Sequence, residues 1–253
     1  MLPKLPDFRL DGKTALVTGG GRGIGLAAAA ALAQAGAHVT LAARTSGELE
    51  VACESINAAG GKSNSIVLDV TDSAAVTEAV ASHGPFNVLV NSAGMNKPTE
   101  LINVKDDDID SIFAVNVKAA FYLSRAVAKG LLEAKQPGSI INISSLMGHV
   151  GSPGRTVYCA SKHAVEGLTK ALAWELGAHG IRVNTLCPTF IETAFTSESF
   201  KSATFREWVT SRIALGRLGR VEDMMGGIVF LASDASSIMT GTALMLDGGW
   251  TAV

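Results

Sequence analysis

The sequence predicts an α/β fold, a doubly wound parallel sheet of about seven strands in three layers, with helices on both faces. Three observations carry this. Short apolar runs alternate with longer segments of helical character from Thr14 to Leu246. The runs are apolar throughout, as strands covered on both faces require. The first run ends in a glycine-rich turn that opens a helix. The 253 residues suit one domain, 1–253, because no linker, repeat or low-complexity tract divides them.

Thr14–Val17 reads as the first strand and Gly23–Ala35 as the first helix. Val39–Ala43 precedes a helix within Gly47–Ala59, and Ser65–Leu68 precedes Ser73–Ser82. Val88–Val90 leads through a loop to a long helix, Asp108–Leu132, and Ser139–Ile143 leads to Val157–Ala178. Arg182–Leu186 leads to an irregular stretch and then a helix near Glu222–Leu231. Ala243–Leu246 is a last short strand. Crossovers between the parallel strands should be right-handed.

Composition narrows the function. The chain is 47% apolar and 17% charged, with net charge −2, so it lacks the basic surface that a nucleic-acid partner needs. No apolar run reaches membrane-spanning length. Met1–Leu10 carries Pro, Lys, Asp and Arg where a signal peptide has an apolar core, so a cytoplasmic protein with no membrane partner is expected. Cys53, Cys159 and Cys187 are odd in number and far apart, which fits neither a disulfide framework nor a metal site. They read as small, buried, reduced side chains.

The turn Thr18–Gly25, TGGGRGIG, holds five glycines in seven residues. Glycine tolerates positive φ and close approach of another group. A helix N-terminus adds free N–H groups and partial positive charge. Together they make a site for a pyrophosphate, with Gly19, Gly21, Arg22, Gly23 and Ile24 as its contacts. The spacing of Gly19, Gly23 and Gly25 is G-x-x-x-G-x-G rather than G-x-G-x-x-G, and a tight turn without ligand is the alternative reading.

Ligands of such sheets sit beyond the carboxyl ends of the strands. No acid stands at the end of the second strand, where one would bind ribose hydroxyls and repel a 2′-phosphate. Arg44 stands there instead, and with Arg22 it can pair with that phosphate. This favours NADP(H), with NAD(H) possible. Asp69, followed by Val70, can accept from an adenine amine or cap the next helix. In Asn91-Ser92-Ala93-Gly94, small residues let a cofactor lie against the backbone, making Asn91, Ala93 and Gly94 candidate contacts. Asn116 is an amide inside an apolar helical run, a poor place for it. It is either a satisfied buried amide at a kink or a group that holds water on a proton path.

Tyr158 and Lys162 project from one face of a helix, four residues apart. Lowering a phenol pKa from about 10 to about 7 takes roughly 4 kcal/mol. One cation at about 4 Å supplies that order of energy at an effective dielectric near 20, and burial opposes it. Lys162 together with an oxidised nicotinamide would leave a margin. Ser145 ends the strand before this helix, and the loop between is long enough to return its hydroxyl to the phenol. Ser144 is the rival hydroxyl.

TGGGRGIG, NSAG, Asn116, Ser145, YCASK and RVNTLCP followed by Thr193 come in the order and approximate spacing of the short-chain dehydrogenase/reductase family. The chain resembles that family from about Asp11 to Trp250. The resemblance implies a Rossmann-like fold and hydride transfer between a nicotinamide cofactor and a carbonyl or alcohol. It makes Tyr158 the general acid/base and has Lys162 bind the nicotinamide ribose and lower the phenol pKa. It has Ser145 hold the substrate oxygen and Asn116 anchor a relay water. Pro188, Ile191 and Thr193 would line the nicotinamide site. Two departures are visible: Ser92 replaces the second Asn of N-N-A-G, and Thr189 replaces the Gly of Pro-Gly, losing its freedom at positive φ.

The helix after Tyr158 is apolar well beyond one stripe, with Val165, Leu168, Leu172, Trp174 and Leu176, and Val115–Leu132 shows a similar excess. Similar family members are commonly homotetramers built through these two helices. The stretch 189–218 reads as a substrate lid carrying Phe195, Phe200, Phe205 and Trp208 among charges that include Glu198. Met95, Asn96, Met147, His149 and Arg155 complete the pocket, and His149 has no evident partner. Within the enzyme reading, a sugar acid or polyol ketone competes with a 3-oxoacyl thioester as the small-molecule substrate. A non-catalytic dinucleotide-binding scaffold is the rival class.

Overall fold

The computed structural model describes residues 2–194, 196, 197 and 199–252. Phe195 and Glu198, read above as part of the lid, lie outside the described residues. Seven strands form one sheet: β1 Thr14–Thr18, β2 His38–Ala43, β3 Lys62–Val67, β4 Val88–Asn91, β5 Gly138–Ile143, β6 Ile181–Pro188 and β7 Ala243–Leu246. Their order is β3-β2-β1-β4-β5-β6-β7, and every neighbouring pair is parallel.

The two-residue period of a strand assigns alternate side chains to opposite faces. Ala15 and Val17 of β1 join one core cluster, with Val88, Val90, Ile141 and Ile143. Leu16, between them, joins the other, with Leu89 and Ile140. The first cluster is closed by α1 Gly23–Gln34, α2 Ser46–Ala58 and α8 Glu222–Ala232. The second is closed by α3 Ser73–His83, α5 Ala119–Ala134 and α6 Thr156–Leu176. This is the three-layer arrangement that the alternating sequence pattern predicts.

Most boundaries shift by a residue or two, and three differences from the sequence reading bear on the cleft or the sheet edge. β3 is Lys62–Val67 rather than Ser65–Leu68, and most of it is polar and exposed. As an edge strand it has one covered neighbour only, so it does not need an apolar run. The long helix expected over Asp108–Leu132 is instead α4 Asp106–Phe113, a π-helical turn Ala114–Lys118 and α5. β6 runs two residues further than expected, to Pro188, and carries the chain to the edge of the cleft. The stretch after β6 contains α7 Ala203–Thr210, capped by the Ser202 hydroxyl, which accepts from the Phe205 N–H. Among the described residues, no helix is long and apolar enough to cross a membrane.

The reversal of strand order falls between β1 and β4, where the connections leave in opposite directions. A crevice opens at such a switch point beyond the strand carboxyl ends.

Candidate active site

A cleft of about 690 Å³ occupies that crevice. One end is the turn between β1 and α1. Gly19 and Gly23 have φ of +64° and +57°, a conformation that side chains disfavour. Gly25 acts by size, because a Cβ there would fall on the Gly19 carbonyl oxygen. No side chain caps α1, although Asp72 caps α3 with two hydrogen bonds. The N–H groups at the α1 terminus therefore remain for an anion.

Gly19, Gly21, Arg22, Gly23 and Ile24 all line this end of the cleft, with Arg44, Asp69 and Val70 beside them. Arg22 pairs with Glu48 at 3.2 Å, an acid that the sequence reading passed over. Asp69 accepts from the Thr71 N–H and hydroxyl at 2.9 and 2.7 Å. Thr71 and Arg44 hold its carboxyl below the usual range. Helix capping falls to Asp72, which separates the two roles that the sequence left open for Asp69.

Thr18, also overlooked, accepts from the N–H groups of Ser92 and Ala93 at 3.1 and 3.2 Å. It joins the ends of β1 and β4 and holds Ala93 and Gly94 against the cleft. Asn91 does not line the cleft. Its amide is buried and donates to Asn142 Oδ1 at 2.8 Å and Ser124 Oγ at 3.2 Å, tying β4 to β5 and α5.

Asn116 also lies behind the cleft. Its Nδ2 donates to the Met95 carbonyl and to Ser161 Oγ, both at 3.0 Å, and its Oδ1 accepts from the Met95 N–H at 2.8 Å. The amide is satisfied and sits in the π-helical turn that interrupts the regular α-helix. Asn91, Asn116 and Lys162 border an internal space of about 10 Å³, the scale of a single water.

Ser144, Ser145, Tyr158 and Lys162 form the opposite wall. Ser145 Oγ accepts from the Met147 N–H at 3.1 Å, fixing the turn that follows β5. The Tyr158 phenol is pushed up by burial, while a hydrogen bond from Ser145 and the nearby Arg155 guanidinium act against that rise. Arg155, which the sequence reading gave to the substrate pocket alone, is a further cation beside the phenol. Lys162 is buried, 5.6 Å from the phenol ring centroid, and donates to the Ile143 carbonyl at 2.8 Å. Burial lowers its pKa to about 8, with Cys187 and Glu166 opposing. It is thus still mostly protonated at neutral pH. Ser144 Oγ is buried with no hydrogen-bond partner.

Pro188, Thr189, Ile191 and Thr193 close the cleft on the side of β6. Thr189 is not at positive φ, so the missing glycine imposes no backbone strain. His149, without a partner in sequence terms, has its Nε2 3.4 Å from Glu166 Oε1 and 3.5 Å from Cys187 Sγ. Its neighbours come from α6 and β6, too far along the chain to be read locally. Burial and Glu166 push the Cys187 thiol up to about 12, which makes it inert.

Comparison with known proteins agrees over nearly the whole chain. A family profile described as enoyl-(acyl carrier protein) reductase matches residues 19–251. The chain is 40% identical over 251 residues to gluconate 5-dehydrogenase of Gluconobacter oxydans, covering 97% of this chain and 98% of that one. It is also 40% identical over 246 residues to a 3-oxoacyl-(acyl-carrier-protein) reductase of Thermotoga maritima, covering 96% and 99%. The crystal structure of a gluconate 5-dehydrogenase from Burkholderia cenocepacia with NADP and tartrate superposes with a TM-score of 0.93 at 35% identity, covering 98% and 99%.

Proposed function

Because the chain belongs to the short-chain dehydrogenase/reductase family, we propose that it moves a hydride between NADP(H) and a carbonyl or secondary alcohol, with Ser145, Tyr158 and Lys162 as its acid–base machinery. The supporting observation is the meeting of those three side chains on one wall of the cleft, opposite an uncapped helix terminus. A scaffold without turnover needs only the second feature.

The cleft fits a dinucleotide. The Gly19–Gly25 turn and the α1 N–H groups receive the pyrophosphate, since an added Cβ at Gly25 has no room. Ala93 and Gly94 provide a flat wall for the adenosine, and Ile191 and Thr193 border the nicotinamide end. Arg22 is engaged by Glu48, so Arg44, exposed at the mouth, is the cation for a 2′-phosphate. NADP is the cofactor named for the Burkholderia structure. When bound, the nicotinamide supplies or accepts the hydride.

The remaining chemistry belongs to the chain. Ser145 Oγ and Tyr158 Oη hold the substrate oxygen from two sides. In reduction Tyr158 gives its proton to that oxygen, and burial keeps the phenol protonated until then. Lys162 stays charged at neutral pH and serves the ribose hydroxyls and the recharging of Tyr158. The small space between Asn91, Asn116 and Lys162 suits one water on the route from Lys162 toward solvent.

Trp174 of α6 is 91% exposed and Phe121 of α5 is 46% exposed, a large apolar surface for a lone subunit. A homotetramer covers these helices, and sedimentation as a monomer would discard that assembly. The stretch 189–218 acts as the substrate lid.

The test is Tyr158→Phe. The purified protein should oxidise NADPH with some carbonyl from a panel read at 340 nm. The variant should lose turnover by about 10³-fold or more while its NADPH affinity stays within a few-fold. Undiminished turnover would refute the role of Tyr158.

A further inference from the structure

Arg155 stands in the substrate end of the cleft without a counter-charge among the described residues. It immediately precedes α6 and is three residues from Tyr158. Its guanidinium lies 5.2 Å from the Phe190 ring centroid and 5.9 Å from that of Phe205. Among the described residues, no carboxylate pairs with it and its side chain makes no hydrogen bond. Arg212, over the Trp208 ring, likewise has no carboxylate partner among the described residues but is exposed, whereas Arg155 is half-buried. Three other arginines are paired or hydrogen-bonded. Arg206 pairs with Glu192 at 2.7 Å, Arg217 pairs with Asp223 at 2.6 Å, and Arg182 donates to Ser236 and to the Ser233 carbonyl.

Burial lowers the pKa of Arg155, with Tyr158 and Cys159 opposing, yet a guanidinium starting from 12.5 keeps its charge at neutral pH. Removing an unpaired cation from water is costly. The two ring faces recover part of that cost, but they leave the N–H fork without acceptors. Besides Ser144, two further side chains of the same lining carry polar atoms without a partner among the described residues. Asn96 Oδ1 and Thr189 Oγ1 are buried with no hydrogen-bond partner. An aliphatic chain laid in this end would seal off the guanidinium fork and bring the other two groups no partner.

We propose that Arg155 binds a substrate carboxylate, and that the substrate is a short hydroxylated keto acid or the corresponding hydroxy acid. This rests on the redox reading above, in which Ser145 and Tyr158 hold the reacting oxygen. The planar fork matches a carboxylate in two parallel hydrogen bonds. Asn96 and Thr189 serve substrate hydroxyls. Because Arg155 immediately precedes α6 and Tyr158 stands in its first turn, the carboxylate lies only a few carbons from the reacting centre. Arg155 is a specificity residue, and neutral ketoses and long 3-oxoacyl thioesters lack its partner.

The experiment is calorimetric binding to the NADPH-loaded protein, where hydroxy acids cannot turn over. The probes are D-gluconate, L-tartrate and D-glycerate, each against the neutral polyol with hydroxymethyl in place of carboxylate. At least one acid should bind about 30-fold or more tightly than its polyol. Arg155→Met should erase that preference, and Arg155→Lys, which keeps the charge without the fork, should restore part of it. Unchanged NADPH affinity and melting temperature certify the fold of each variant. For any keto acid reduced, the Met variant should raise KM far more than it lowers kcat. The inference is overturned if no acid outbinds its polyol, or if the preference survives in Arg155→Met. Arg155-dependent acid binding without reduction of any carbonyl would instead overturn the redox reading and leave this inference standing.

Discussion

Replacing Lys162 by Met tests the electrostatics of the proposed catalytic wall through stability and pH. The Lys162 ammonium is buried and donates to the Ile143 carbonyl at 2.8 Å. Burial brings its pKa from 10.5 down to about 8. The gap corresponds to a native-state cost of about 3 kcal/mol for holding the charged form. The folded pKa lies below the unfolded one, so the unfolded chain holds this proton more tightly. The cost is complete below about pH 8, is relieved as pH rises from about 8 to 10.5, and is gone above that. Wild-type stability therefore gains from this group as pH increases. Between pH 7 and 9 the gain is about 1 kcal/mol. Lys162→Met has nearly the same length and no proton, so it lacks this slope. It also leaves the Ile143 carbonyl without its donor, an offset of about 1–3 kcal/mol that does not vary with pH. The difference in slope is thus the diagnostic, not the absolute stability. Urea unfolding followed by circular dichroism at pH 7, 8 and 9 reads it directly. Cys187, pushed up to about 12, stays protonated in the folded state across this window, and its unfolded thiol adds the same slope to both proteins. Parallel stability profiles would mean that Lys162 is not desolvated as described, and the argument for its charge state would fall with it.

Gly25→Ala should lose about 2 kcal/mol or more of stability and most NADPH affinity, because its methyl meets the Gly19 carbonyl, which is backbone and cannot step aside; chemical denaturation and NADPH fluorescence titration measure both, and a wild-type variant would dismiss the tight-turn account. Arg44→Ala should weaken NADPH binding by about tenfold while leaving NADH binding nearly constant; equal losses for both cofactors would discard its pairing with the 2′-phosphate.

The strands were legible because each is a short-range event. Apolar runs such as Leu89-Val90 and Ile140-Ile141 are buried wherever the chain places them in a two-faced sheet. β3 was misjudged by three residues because its pairing with β2, from His38↔Lys62 to Ala43↔Val67, rests on backbone hydrogen bonds. Lys62-Ser63-Asn64 carries no apolar signal for them. The π-helical turn at Ala114–Lys118 was visible only as a misplaced amide. Its cause is the Met95 backbone and Ser161, which Asn116 reaches across the fold.

Local chemistry was readable to the same extent. The glycine turn and the Tyr158–Lys162 pair are each contained within one turn of chain, and their spacing fixes their geometry. Sequence alone thus determined the layered α/β architecture, the glycine turn and the types of group available for catalysis, because backbone preference and hydrophobic period act between near neighbours. Tertiary structure alone decided that Glu48 engages Arg22, that Thr18 holds the Ser92–Ala93 backbone and that His149 meets Glu166 and Cys187. It also decided that Arg155, itself unpaired among the described residues, stands beside the Tyr158 phenol and opposes the rise of its pKa. Charge interactions and burial depend on distance through space, and the chain sets those distances only when the seven strands have closed side by side.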